Sequence, residues 1–130
     1  MLNKILLIED DIETGILIRG GLQGVEDENW EPLYDVFYAT NLNDARLRLD
    51  KGDIDLLISD TCVDSKNRPD AHVLIEEVRQ RYPNMPILGM SSSDFYRDIM
   101  LEAGCNRFYT KSPRDLQFAG LLELVQELLP

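Results

Sequence analysis

Short apolar runs alternate along this chain with longer amphipathic stretches, and most of the runs show no polar alternation of their own. A strand buried on both faces needs such a run, whereas a half-exposed antiparallel strand would alternate apolar and polar residues. The pattern predicts a parallel sheet covered by helices on both faces. Five strand-and-helix pairs fit within 130 residues, a length that supports one core rather than two. The strands read as residues 4–8, 36–38, 54–59, 87–90 and 107–110.

The helices carry clearer punctuation. Asn41 is placed to cap a helix whose Leu42, Ala45 and Leu49 share a face, with Gly52 to end it. Asp70 precedes Ala71, Leu74, Ile75, Val78 and Tyr82 at spacings of three and four, and Pro83 marks the stop. Ser112, Pro113 and Asp115 read as a helix start, followed by a stripe of Phe118, Leu121, Leu122, Val125 and Leu129. A further helix is expected near Ser93, with Phe95, Ile99 and Ala103 inward and Gly104 at its end. The first helix, over 12–22, contains Gly15, Gly20 and Gly21. Each glycine costs roughly 1 kcal/mol against alanine, so this helix is expected to be short or kinked. An acidic segment, 26–35, carries Trp30 and Tyr34, which either form a patch for a partner or, the favoured reading, cover the end of that helix.

Charge and cysteine usage narrow the function classes. With 24 acidic against 13 basic residues, the formal charge is -11, the wrong sign for direct contact with nucleic acid or anionic lipid. Cys62 and Cys105 are far apart with no CxxC, which suggests neither a disulfide framework nor a zinc site but two reduced thiols. The apolar run at 5–8 is too short for a signal peptide, and no stretch reaches membrane-spanning length. The expectation is a soluble, cytoplasmic protein.

In an open doubly wound sheet, ligands bind outside the carboxyl ends of the strands. The residues that end these strands are Glu9 and Asp10, Asp60, Ser91 and Lys111. Neighbouring strands lie about 4.8 Å apart, so carboxylates at adjacent strand ends converge on one cation. Crowded acids with hard oxygen donors suit Mg2+, held by Glu9, Asp10 and Asp60. Lys111 adds an ammonium and Ser91 a hydroxyl, and the set suits transfer of a phosphoryl group to Asp60, a step that depends on positioning and charge neutralisation. Asp11 then opens the first helix, where negative charge meets the positive dipole end. His72, alone in a helix's first turn, reads as an exposed surface residue rather than a phosphohistidine.

Four separated motifs resemble those of the response regulator receiver domains of two-component signalling, over essentially the whole chain. They are Ile-Leu-Leu-Ile-Glu-Asp-Asp ending at Asp11, Asp-Ile-Asp-Leu-Leu-Ile-Ser-Asp ending at Asp60, Pro-Ile-Leu-Gly-Met-Ser-Ser ending at Ser92, and Leu-Glu-Ala-Gly-Cys-Asn-Arg-Phe-Tyr-Thr-Lys ending at Lys111. The resemblance implies a flavodoxin-like fold with strand order 2-1-3-4-5, a receiver domain over 1–130 without an output domain, and Asp60 as phosphoacceptor. It further implies the Cys62 carbonyl as a magnesium ligand, Ser91 and Phe108 as switch residues, and catalytic roles for Asp60, Ser91 and Lys111. The implied partners are a histidine kinase or phosphotransfer protein, and a downstream protein on the face of the fourth helix, fifth strand and fifth helix. Activity of its own would be limited to self-phosphorylation and self-dephosphorylation.

The chain departs from the family pattern in a longer loop after Asp60, in Ala71 where glycine is usual, and in Ser112 where proline usually follows the lysine. The last change puts the cis peptide typical of that position in question, because a non-proline cis bond costs about 3 kcal/mol. The phosphorylation switch is the leading reading, and the altered loop and Ser112 are the best support for the alternative, a pseudo-receiver that binds protein and never takes phosphate. A phosphohydrolase of the haloacid dehalogenase type would want an acid at position 62, where this chain has cysteine.

Overall fold

In the computed structural model, which describes residues 2–130, strands and helices strictly alternate. They are β1 (Asn3–Ile8), α1 (Ile12–Gln23), β2 (Tyr34–Ala39), α2 (Leu42–Leu49), β3 (Leu56–Asp60), α3 (Ala71–Arg81), β4 (Ile87–Ser91), α4 (Arg97–Ala103), β5 (Arg107–Thr110) and α5 (Ala119–Leu128). The sheet order is β2-β1-β3-β4-β5 and every pairing is parallel. This is the flavodoxin-like arrangement.

The unbroken apolar runs are explained by what lies on each side. Leu6, Ile8, Leu57 and Ile87 face Ala45, Leu74 and Met100 of α2, α3 and α4. Ile5, Leu7, Leu56, Ile58, Leu88 and Met90 face Ile18 and Leu22 of α1 and Leu121 and Val125 of α5. Both faces are dry, so no polar alternation survives in the central strands. β2 is longer than its sequence signal because it pairs with β1 along its whole length, from Asn3↔Tyr34 to Ile8↔Ala39.

Several local expectations are corrected. α1 runs unbroken over 12 residues despite its glycines. α5 begins only at Ala119, after a 3-10 turn (Leu116–Phe118) in which Gln117 and Phe118 take positive φ of 59° and 55°. Ser112 and Pro113 are therefore not its cap, and the Asp115 carboxylate instead accepts from Tyr109 Oη and from the Gly120 N–H. Phe95 is 83% exposed, because it sits in a 3-10 turn (Asp94–Tyr96) ahead of α4. Three residues per turn there, against 3.6 in α4, take it off the face that Ile99 and Ala103 share. Tyr34 is buried, but Trp30 is 82% exposed at φ 64°. It cannot cover α1 because the segment closes on itself, through an antiparallel bridge Glu26↔Pro32 and an Asp27 carboxylate that accepts from the Asn29 and Glu31 N–H groups. His72 is half-buried rather than exposed, with Nδ1 unpartnered among the described residues. Among those residues there is no cis peptide, so Lys111–Ser112 is trans. No described helix is long and apolar enough to cross a membrane.

Candidate functional site

Four neighbouring strands deliver the polar strand-end residues to one place. β1 runs into Glu9 and Asp10, β3 ends on Asp60, β4 on Ser91, and β5 runs into Lys111. All of them line a cavity of about 270 Å³, together with Asp11, Cys62, Lys66, Ser92, Ser93 and Tyr96. A groove of about 170 Å³ between α2 and α3 holds none of them, and is lined instead by the surface ion pairs Arg46–Glu77 and Arg81–Asp50.

The electrostatics centre on a crowded acid triad. Carboxylate oxygens of Glu9, Asp10 and Asp60 all lie within 4.8 Å of one another. Lys111 Nζ donates to Glu9 Oε1 at 2.8 Å and to Asp60 Oδ2 at 3.3 Å. The Thr61 N–H donates to Asp60 Oδ1 at 3.0 Å, and the Asp11 N–H to Glu9 Oε2 at 3.2 Å. Burial, and then the neighbouring Asp60, push the Glu9 carboxyl above its ordinary range. Asp10 is raised by burial and by Glu9, and Asp60 by burial against the opposing pull of its hydrogen bonds and of Lys111. Burial alone would lower Lys111, but Asp60 and Glu9 outweigh it and hold the ammonium above its usual value. Like charges driven into one desolvated pocket leave a surplus of oxygen donors for a hard cation. Glu9, Asp10 and Asp60 thus fit Mg2+, which accepts oxygen ligands and keeps some of its water.

The surroundings hold these groups in register. The Lys111 N–H donates to the Ser91 carbonyl at 2.8 Å, tying the ends of β5 and β4 together. Ser91 Oγ accepts from the Ser93 N–H. Asp11 caps α1 by accepting from the Thr14 N–H at 3.0 Å and from Thr14 Oγ1. Tyr38 Oη donates to the Glu9 carbonyl at 2.9 Å, a support that the sequence does not advertise because Tyr38 reads only as a strand residue.

The long loop after Asp60 is built around Asp70. Its carboxylate stands at the N-cap position of α3, yet it makes no capping bond. It turns back to accept from the Val63, Asp64 and Ser65 N–H groups, each at 2.8 Å, because a loop that reverses direction must satisfy its own backbone donors. Asp64 Oδ1 in turn accepts from the Leu42 N–H at the start of α2. This loop carries Lys66 and Cys62 to the cavity. Burial, and then Asp60 and Asp70, raise the Cys62 thiol, keeping it neutral. Sequence reading missed Lys66 and Tyr96, since neither stands at a strand end or in a periodic pattern. Phe108 is not in the cavity. It is 6% exposed, in the layer shared with Met100 and Cys105.

No protein-family description matches the sequence, and no curated protein matches it either. The fold does match solved structures. A putative response regulator from Chloroflexus aurantiacus is 24% identical with a TM-score of 0.77, over 99% of this chain and 98% of that one. The response regulator protein TrrA from Thermotoga maritima, in complex with Mg2+ and BeF, is 22% identical with a TM-score of 0.77, over 98% and 99% of the two chains. The chemotaxis response regulator CheY4 of Vibrio cholerae is 20% identical with a TM-score of 0.76, over 98% and 99%. The chain therefore has the receiver-domain fold along nearly its full length.

Proposed function

We propose that this chain is a phosphorylation switch, in which Asp60 accepts a phosphoryl group from a histidine kinase or phosphotransfer protein and so alters binding to a downstream protein. The supporting observation is a single cavity where a buried carboxylate, a lysine ammonium, a serine hydroxyl and two further acids meet at the carboxyl edge of the sheet. An oxygen of Asp60 attacks phosphorus, and the bond from phosphorus to the donor breaks with its electron pair leaving on the donor. Lys111 then exchanges its contact with the carboxylates for one with the phosphoryl oxygens, and Ser91 offers its hydroxyl to another. Glu9, Asp10 and Asp60, with the Cys62 carbonyl, would hold magnesium, which supplies positive charge against the phosphoryl oxygens. Such a protein is labelled and at most clears its own label, rather than turning over a substrate.

The signal would leave through Phe108. A phosphoryl group adds about two negative charges, and drawing Ser91 toward it frees space beside Phe108. The face of α4, β5 and α5 is then the surface a partner would read. Phe108 is buried, and on this reading phosphorylation shifts a two-state equilibrium further toward its inward form. Beryllofluoride should still move NMR resonances around Phe108, and changes confined to the Asp60 loops would refute this route.

The decisive test of the function is incubation with acetyl phosphate followed by intact-mass and peptide mass spectrometry. One phosphoryl group on Asp60, absent in Asp60→Asn protein and in EDTA, is the expected result. Labelling that persists in Asp60→Asn or in EDTA would overturn it. A folded protein that takes no label at all would establish the pseudo-receiver instead.

A further inference from the structure

The geometry points to Lys66 as a second cation at the mouth of the Asp60 cavity, which draws in the phosphoryl dianion and weakens the hold on magnesium. This rests on the phosphoryl-transfer reading above. The cavity is lined by four acids, Glu9, Asp10, Asp11 and Asp60, and by two lysines, Lys66 and Lys111. Lys111 is committed inward, bridging Glu9 and Asp60. Lys66 is exposed and, among the described residues, forms no ion pair, so its charge is free to act on what approaches.

The segment that presents Lys66 is built. Val63 is buried in the core, Asp70 binds three successive loop N–H groups, and Asp64 ties the loop to α2. Lys66 follows directly on the last of those anchored residues, Ser65. Its flexible stem then lets a compact ammonium sweep the cavity mouth from a fixed base. A dianionic donor meets a surplus of carboxylates there, and an ammonium at the rim offsets part of the repulsion before Lys111 and Ser91 can be reached. The same charge repels a divalent cation. Lys66 therefore acts with opposite sign on the two ligands, and this sign pattern separates electrostatics from a merely structural role.

The test compares wild-type protein with Lys66→Ala, Lys66→Glu and Lys66→Arg in the full chain. Initial rates of labelling by subsaturating acetyl phosphate are followed by mass spectrometry at saturating Mg2+, and Mg2+ affinity is followed separately by calorimetry. Lys66→Ala should slow labelling about 3- to 10-fold at low ionic strength, with the deficit shrinking as salt rises. It should at the same time tighten Mg2+ binding about 2- to 5-fold. Lys66→Glu should exceed both effects, and Lys66→Arg should behave as wild type. Equal rates and affinities across the series would overturn the inference, and so would a joint loss of both in Lys66→Ala. If wild-type protein takes no label, the phosphoryl-transfer reading fails instead. The calorimetry then still decides for Lys66, because unchanged Mg2+ affinity in Lys66→Ala removes it from the site.

Discussion

Gly15→Ala should destabilise this protein even though it improves a helix. Alanine in the body of α1 is worth about 1 kcal/mol over glycine by propensity alone. At this position, however, an added Cβ would overlap Cζ and Oη of Tyr38, with Cε1 only 2.7 Å away. The ring must therefore leave its place. It would give up the hydrogen bond from Tyr38 Oη to the Glu9 carbonyl, worth about 1 kcal/mol, and displaced packing costs about 1–2 kcal/mol more. The balance is a net loss of about 1–2 kcal/mol. For a chain of 130 residues, an unfolding entropy of about 2.1 cal/mol/K per residue converts this into a Tm lower by about 4–7 °C. Gly20 and Gly21 supply the control, since an added Cβ at either meets nothing within 4 Å. Alanine there should raise Tm by about 2–4 °C each. Circular dichroism melts of the three variants, and of Gly15→Ala in a Tyr38→Ala background, read the effect directly. In that background Gly15→Ala should turn stabilising. A Gly15→Ala protein that melts as high as Gly20→Ala would refute the reasoning, because it would show Tyr38 free to swing away at no cost.

Asp70→Ala should cost about 2–3 kcal/mol in denaturant titrations and speed amide exchange at Val63, Asp64 and Ser65, whose donors lose their acceptor; unchanged exchange would mean the loop is held otherwise. Asp10 has its pKa raised in the folded state, by burial first and then by Glu9, so its contribution to stability is full below the unfolded value near 4 and is lost as pH rises through the folded one. Asp10→Asn, melted in EDTA, should therefore exceed wild type in Tm at pH 7, with the gap closing towards pH 4; a lower Tm at pH 7 would show the carboxylate favourably engaged. Cys62 lines the cavity but offers a neutral thiol that cannot orient water, so the phosphorylated protein should lose its label slowly and Cys62→Asn protein several-fold faster. Equal decay in the two would remove Cys62 from the path of the hydrolytic water.

What the sequence determined was the architecture and the chemistry of the strand ends. Both are written in local terms: continuous apolar runs demand a sheet covered on two faces, and a polar residue that stops such a run must stand at the edge where ligands bind. Glu9, Asp10, Asp60, Ser91 and Lys111 were legible for that reason, and the parallel order of β1, β3, β4 and β5 brought them into one cavity. What only the tertiary structure decided were matters of direction and of partners distant in sequence. Asp70 looks like a helix cap from its neighbours, but the unsatisfied amides of the preceding loop compete for the same carboxylate and win. Phe95 fits a helical spacing that a 3-10 turn does not keep, and Trp30 is turned outward by a loop that closes on its own hydrogen bonds. The three glycines of α1 are chemically identical along the sequence and differ only in what approaches them. Tyr38, 23 positions further along the chain, lies against one and leaves two bare, since a ring's reach across a sheet edge is a property of packing and not of local propensity.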